Sequence, residues 1–323
     1  MNAARFIEEL VRYLSLRLVL APAARLLPRS WAMALAEALS LLLVCLPWVG
    51  PGLYWQMRQM EGKGRRESFR MARGWLGRGY RDFVVATRVV AGRENLQGWK
   101  IVERNTTGID ALRASGESYI VATGHFMQAY SYALYSPAVS PGRVFKVIAH
   151  PPPQSPAIRE LRIRCQFGAQ LKGLAACWGG HCALVEMGAD LRGAQTIFER
   201  LTEPGNVVFM DVDALWKKAR TGSFERPFAG YRARVFATGA AELARMTGRA
   251  VIACVHVVES DETVVLDWGT PIRIAGPSPS KDLDVMNALL DRMEAAVGDR
   301  PEQYALEIGG ERRWDPAGRT WGA

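Results

Sequence analysis

Residues 118–135, SYIVATGHFMQAYSYALY, constrain this chain more than any other stretch. Ser118, Tyr119, Ile120, Val121 and Ala122 suit a short buried strand, Thr123 and Gly124 break it, and from Met127 aromatic residues return at helical spacing. His125 therefore sits in a tight strand-to-helix turn. In an open α/β sheet such turns expose chemistry, because the carboxyl end of the strand and the amide-rich start of the helix face one cleft. From the turn alone two readings stand: a catalytic histidine, or a core histidine satisfied by one hydrogen bond.

The chain around this turn has 323 residues, 49% hydrophobic and 23% charged, ordinary for a globular protein with a large core. Lys and Arg outnumber Asp and Glu by 41 to 32, a net charge of +9 that draws a protein to phosphate on nucleic acid, anionic lipid or an acidic carrier protein. The arginines are scattered through apolar sequence, without zinc-finger spacing, an RNP-type aromatic motif or a basic zipper, so nucleic acid is the weaker option. Cys45, Cys165, Cys177, Cys182 and Cys254 form no disulfide framework and point to a reducing compartment. Cys177, His181 and Cys182 lie close together but miss structural zinc spacing, so no metal is expected.

The N-terminal section, residues 1–60, reads as a helical membrane-associating segment, followed by an α/β domain over 61–323. Phe6, Leu10, Leu14 and Leu18 recur at helical spacing among Glu8, Glu9, Arg12 and Arg17, predicting an amphipathic helix ended by Pro22 and Pro28. Residues 31–49, WAMALAEALSLLLVCLPWV, carry one charge, Glu37, and approach the length that crosses a bilayer, although Pro47 shortens the run. Trp48, Tyr54 and Trp55 follow as interfacial aromatics, and then Arg58, Lys63, Arg65, Arg66, Arg70 and Arg73. That order fits an anchor on the cytoplasmic side, spanning or lying in the interface; a buried core helix is the alternative reading of 31–49. The first apolar stretch is broken by arginines and the better one starts too late for a cleaved secretory signal.

Beyond the anchor, strands are predicted at 95–103, 118–122, 143–149, 206–210, 250–258 and 263–268, and helices at 67–93, 108–115, 155–167, 190–201, 232–247 and 281–297. The alternation predicts an α/β fold with a mostly parallel central sheet flanked by helices. The strand at 206–210 delivers Asp211 and Asp213 at its carboxyl end. Carboxylates there serve as a metal pair, a general base, or anchors for loop amides.

The ordered segments GHFMQAY (124–130), VVFMDVD (207–213), SFERPFAG (223–230), TGAAELARMTGRAVIACV (238–255) and PEQYALE (301–307), together with the apolar N-terminus, resemble the lipid A biosynthesis acyltransferase family, the late lauroyl and myristoyl transferases of Gram-negative bacteria, within the lysophospholipid acyltransferase-like superfamily. The resemblance implies a glycerolipid acyltransferase-like fold on the cytoplasmic face of the bacterial inner membrane. It implies transfer of a fatty acyl group from acyl carrier protein or coenzyme A to a hydroxyl or amine of a lipid or glycolipid, with the thioester as co-substrate and no other cofactor.

In that family a histidine is the general base and an acid five residues later orients it. His125 matches the base; Tyr130 occupies the place of the acid. Gly188 stands where the family usually has an arginine, two residues before Asp190. Three readings follow: an enzyme whose acid comes from elsewhere, with Glu186 one possibility; an enzyme using a more nucleophilic amine acceptor; or a catalytically silent lipid- or carrier-binding member that partners another enzyme. The resemblance yields a catalytic set of His125, Tyr130 and Asp211, and a substrate-binding set of Gln128, Asp213, Arg232 and Arg234. The two arginines would meet phosphate or phosphopantetheine, with solvated surface as the alternative.

Overall fold

The computed structural model describes residues 3–45, 65–148, 157–187, 192–213, 215–216, 222–229, 231–259, 263–274, 276, 280–304, 314–315 and 320–321. Its centre is a seven-stranded sheet of β1 (Ile101–Arg104), β2 (Tyr119–Thr123), β3 (Arg143–Ile148), β4 (Cys182–Glu186), β5 (Asn206–Asp211), β9 (Val251–Val258) and β10 (Val264–Trp268), in the order β1-β10-β9-β2-β5-β3-β4. Every neighbouring pair is parallel except β9 with β10. The expected α/β class with a mostly parallel sheet is thus the observed one. The central strand β2 is buried at all five positions, as a strand covered on both faces should be, and its Tyr-Ile-Val-Ala-Thr sequence suits that place.

Helices cover the sheet: α5 (Thr107–Ser115), α6 (Ala157–Trp178), α7 (Arg192–Thr202), α8 (Gly239–Thr247) and α9 (Ser280–Asp299). Both α5 and α8 stop at a glycine in the left-handed conformation, Gly116 and Gly248, each with φ of 66°. A small antiparallel sheet of β6 (Leu215–Trp216), β8 (Tyr231–Ala237) and β7 (Ser223–Phe228) lies between β5 and α8 in the chain.

The N-terminus is helical from Ala3 to Leu26: α1 (Ala3–Leu14), a π-helical stretch (Ser15–Leu20) and α2 (Ala21–Leu26). Pro22 does not end this helix, contrary to expectation. It falls in the first turn of α2, just after the wider π register, where a missing N–H costs least. Pro28 does end it, holding Leu27 extended at φ −90° and ψ 158°. Next come α3 (Arg29–Val44) and the long α4 (Arg65–Val90), which pack together, with α4 also against α6. One continuous apolar core takes in Leu16, Ala36 and Val84 from these helices and Ile120, Phe209 and Ile252 from the sheet.

Residues 31–49 were expected to be able to span a bilayer; within them α3 instead buries Ala32, Met33, Ala36, Leu43 and Val44. Among the described residues no helix is long and apolar enough to cross a membrane. Pro47, Trp48, Tyr54, Trp55, Arg58 and Lys63 lie outside the described residues, as do His150, Gly188 and Asp190.

Three further expectations need correction. The stretch 232–247 is not one helix: residues up to Ala237 form β8, and only Gly239–Thr247 is helical, because pairing with β7 overrides the helix propensity of its alanines and arginines. The stretch 95–103 is a strand only from Ile101, since the Asn95 side chain accepts from the Gln97 N–H at 3.1 Å and caps a 3-10 turn. The segment after Met127 makes a 3-10 turn, Tyr130–Ala133, rather than an α-helix.

Candidate active site

β2 and β5 run side by side in parallel, with Thr123 opposite Asp211. Two residues further along each chain, beyond the sheet, stand His125 and Asp213. The Asp213 side chain is 0% exposed and that of His125 18%. Asp213 Oδ1 lies 2.6 Å from His125 Nδ1, and Asp213 Oδ2 accepts the backbone N–H of the same histidine at 2.8 Å. A carboxylate on Nδ1 selects the tautomer protonated there and leaves Nε2 as the basic atom.

Gly124 makes this close approach possible: a Cβ there would lie 3.1 Å from Asp213 Oδ2, 3.0 Å from the Phe126 ring and 3.2 Å from Met293 Sδ. The pair is electrostatically matched. Burial opposes the charged imidazole, but the carboxylates of Asp213 and Asp211 outweigh it and raise the His125 pKa. Burial likewise opposes the Asp213 carboxylate, yet His125, through its charge and both hydrogen bonds, holds it below the usual range, with help from the Tyr304 hydroxyl.

Asp211 is held from the other side. Lys146 of β3 reaches its Oδ1 at 2.6 Å, while its Oδ2 lies 3.9 Å from His125 Nε2. Burial would push the Lys146 ammonium down, but Asp211 and the Tyr135 hydroxyl hold it above its ordinary value. The site is therefore a row of ionisable groups, Lys146 of β3, Asp211 at the end of β5, and His125 and Asp213 just past the ends of β2 and β5. His256 of β9 is beside it, 3.4 Å by Nδ1 from Thr123 Oγ1, with its pKa lowered to about 4 by burial. His256 is 1% exposed, whereas the His125 side chain is 18% exposed.

The expected site residues divide. Asp213, assigned to substrate, is the partner of the imidazole; Tyr130, assigned to the catalytic set, is not. The Tyr130 ring is buried and stacked on Trp99 at 5.1 Å, and burial lifts its hydroxyl to about 12. Glu186 ends β4, three strands from β2 and about 14 Å away at the usual strand spacing. The Gln128 backbone N–H donates to Asp82 of α4 at 3.2 Å. Arg234 is buried in β8 with its guanidinium 5.8 Å over Phe228, which lies against Tyr304 at 6.3 Å. Arg232 belongs to β8 by its backbone; its side chain lies outside the described residues.

Lys146 and Asp82 were missed. Lys146 carried a usable signal, a lone charge inside the apolar strand VFKVIA, which is costly without a partner. Asp82 carried none, being one acid among the arginines of a long helix. A cleft of about 570 Å³ also reaches the turn, walled by Met127 and Tyr130 together with Glu37 of α3 and Arg73 and Arg81 of α4.

No protein-family model and no curated protein matches the chain. Among solved structures, the 1-acyl-sn-glycerophosphate acyltransferase PlsC from Thermotoga maritima aligns over 84% of this chain and 100% of that one, at 12% identity and a TM-score of 0.36. A TM-score of that size assigns no function; that has to come from the side chains.

Proposed function

We propose that the protein is an acyltransferase that moves a fatty acyl group from an acyl thioester, on acyl carrier protein or coenzyme A, to the hydroxyl or amine of a lipid or glycolipid. The observation that carries this reading is the His125 and Asp213 pair at 2.6 Å, just past the ends of adjacent parallel strands, with Nε2 left to receive a proton. Among the described residues no Ser, Thr or Cys side chain hydrogen-bonds Nε2, so direct attack by the acceptor is favoured over a covalent enzyme intermediate.

In this mechanism the acceptor oxygen or nitrogen attacks the thioester carbonyl as its proton passes to Nε2. Asp213 holds the imidazole in place and stabilises its cation. The tetrahedral intermediate then collapses with cleavage of the C–S bond, and the imidazolium returns the proton to the departing thiolate. Asp211, pinned by Lys146 and 3.9 Å from Nε2, is read as positioning the acceptor.

The membrane reading becomes one of interfacial contact. Leu18, Leu26 and Trp31 are 69%, 71% and 68% exposed on the N-terminal helices, close in sequence to Arg17, Arg25 and Arg29, a pairing of apolar and basic groups that suits an anionic lipid surface. The cytoplasmic face of the inner membrane would supply both such a surface and acyl thioesters.

Purified protein supplied with labelled acyl carrier protein or acyl-coenzyme A and a panel of lipid acceptors tests the reading. Transfer abolished by His125→Ala supports it; transfer that persists in that variant removes His125 as the base.

A further inference from the structure

The turn that carries His125 is tied down by a residue of α4. The 3-10 turn Tyr130–Ala133 begins with the bond from Tyr130 N–H to the Met127 carbonyl, 3.0 Å, so the N–H groups just before it, on Gln128 and Ala129, have no partner within the turn. Asp82 supplies both. Its Oδ2 accepts from Gln128 N–H and its Oδ1 from Ala129 N–H, each at 3.2 Å. The Asp82 side chain is 1% exposed, and Arg78, one turn earlier on α4, lies 3.5 Å from Oδ2.

This is a cap delivered across the structure, from 46 and 47 residues away in sequence. A carboxylate that accepts two backbone N–H groups makes charge-assisted bonds, stronger than a neutral cap, and also favours the amide-rich start of the turn. Keeping such a group ionised inside the protein is costly: burial lifts the Asp82 pKa to about 6 against the pull of Arg78 and the two amides. A solvated or apolar residue would avoid that cost, so the carboxylate has to be justified by what it holds.

It holds the segment three and four residues after His125. Between them Phe126 and Met127 are fully buried, Phe126 edge-on to Tyr304 at 5.4 Å and to His256 at 6.0 Å. The turn is thus clamped at one end by Asp213 on His125 and at the other by Asp82 on Gln128 and Ala129. We propose that Asp82 is a positioning residue for His125: its carboxylate bridges α4 to the Gln128 and Ala129 amides and thereby keeps the imidazole in register with Asp213. The consequence for catalysis rests on the acyl-transfer reading; the consequence for the imidazole does not.

The test is Asp82→Asn in the full chain, compared with Tyr80→Phe, which deletes a buried hydrogen bond of the same helix, to Ser15 at 2.9 Å, without touching the turn. The His125 imidazole is titrated by NMR in both, and kcat and KM are measured with whichever thioester and acceptor the wild type uses. Asp82→Asn is expected to fold, to shift the His125 titration toward its ordinary value, and to lower kcat at least tenfold with KM within about threefold, because an amide presents an acceptor to only one of the two N–H groups. Tyr80→Phe is expected to leave the titration unmoved.

A folded Asp82→Asn with the wild-type His125 titration overturns the proposal, as does an equal shift in Tyr80→Phe. Absence of transfer in the wild type would sink the acyl-transfer reading while leaving the titration result to decide on Asp82. Amide exchange in the wild type stands beside the variants: Gln128 and Ala129 N–H are expected to be protected, and exchange as fast as in an open loop contradicts the anchor whether or not Asp82→Asn folds.

Discussion

Asp213 meets His125 twice, with Oδ1 2.6 Å from Nδ1 and Oδ2 accepting the backbone N–H at 2.8 Å. A side-chain bond alone would orient the ring; the second bond fixes the backbone that carries it. The carboxylate therefore sets where the imidazole is as well as which nitrogen is basic. Asp213 lies two residues past β5 and His125 two residues past β2, so the parallel pairing of those strands delivers the contact.

The pH dependence follows from this pair. His125 has a pKa raised above its ordinary 6.5, so the free base appears only as pH climbs past that raised value, and kcat/KM is expected to rise along a limb lying above pH 6.5. Asp213→Asn should move that limb to lower pH while lowering the plateau. For stability, the raised histidine makes the pair's contribution complete below 6.5 and lost as pH rises through the folded value. The depressed Asp213 contributes above its unfolded 3.8 and loses that as pH falls through its folded value. These are two edges of one interaction, so the pair stabilises most between the two carboxylate and imidazole transitions. Chemical denaturation at a series of pH values, wild type against Asp213→Asn, checks the window.

Gly124→Ala should lower activity and stability together. Its Cβ would press on Asp213 Oδ2 at 3.1 Å and on Phe126 and Met293, tighter than ordinary contact. The expected result is a loss of about tenfold or more in kcat with destabilisation of about 1–3 kcal/mol, the usual range for overpacking. Steady-state kinetics and thermal unfolding of the same preparation measure both.

Much of this was legible in the sequence, for reasons that differ by residue. The strands at 119–123, 206–211 and 251–258 are apolar runs that burial on both faces demands, and His125, Asp211 and Asp213 stand out as polar groups at strand ends. What pattern could not supply was partnership. Asp213 is 88 residues from His125, and their meeting depends on strand order and register, which no local spacing encodes. Tyr130 stands where the resemblance places an acid, five residues along the turn; the turn is 3-10 there and carries Tyr130 onto Trp99, while the carboxylate on the imidazole comes from elsewhere, Asp213. The strand β8 was hidden by helix-forming alanines and arginines, and β4 by its place beside a suggestive cysteine and histidine cluster.

Membrane contact is expected to depend on the exposed apolar residues of the N-terminal helices. Replacing Leu18, Leu26 and Trp31 by Glu removes apolar area that is already in solvent and adds charge that anionic lipid repels, so folding should be little affected while flotation with phosphatidylglycerol vesicles falls severalfold. Equal flotation of the triple variant would move the contact elsewhere.

The most direct measurement sets Asp213→Asn against Tyr130→Phe in one acyl-transfer assay. With Asp213 as the partner of a general base, Asp213→Asn should lose on the order of 10²–10⁴ in kcat, as a wrong tautomer and an unsupported imidazolium would cost. Tyr130→Phe, which removes a hydroxyl remote from the imidazole's bonds, should stay within about threefold of the wild type. Collapse of transfer in Tyr130→Phe with Asp213→Asn active would contradict the site.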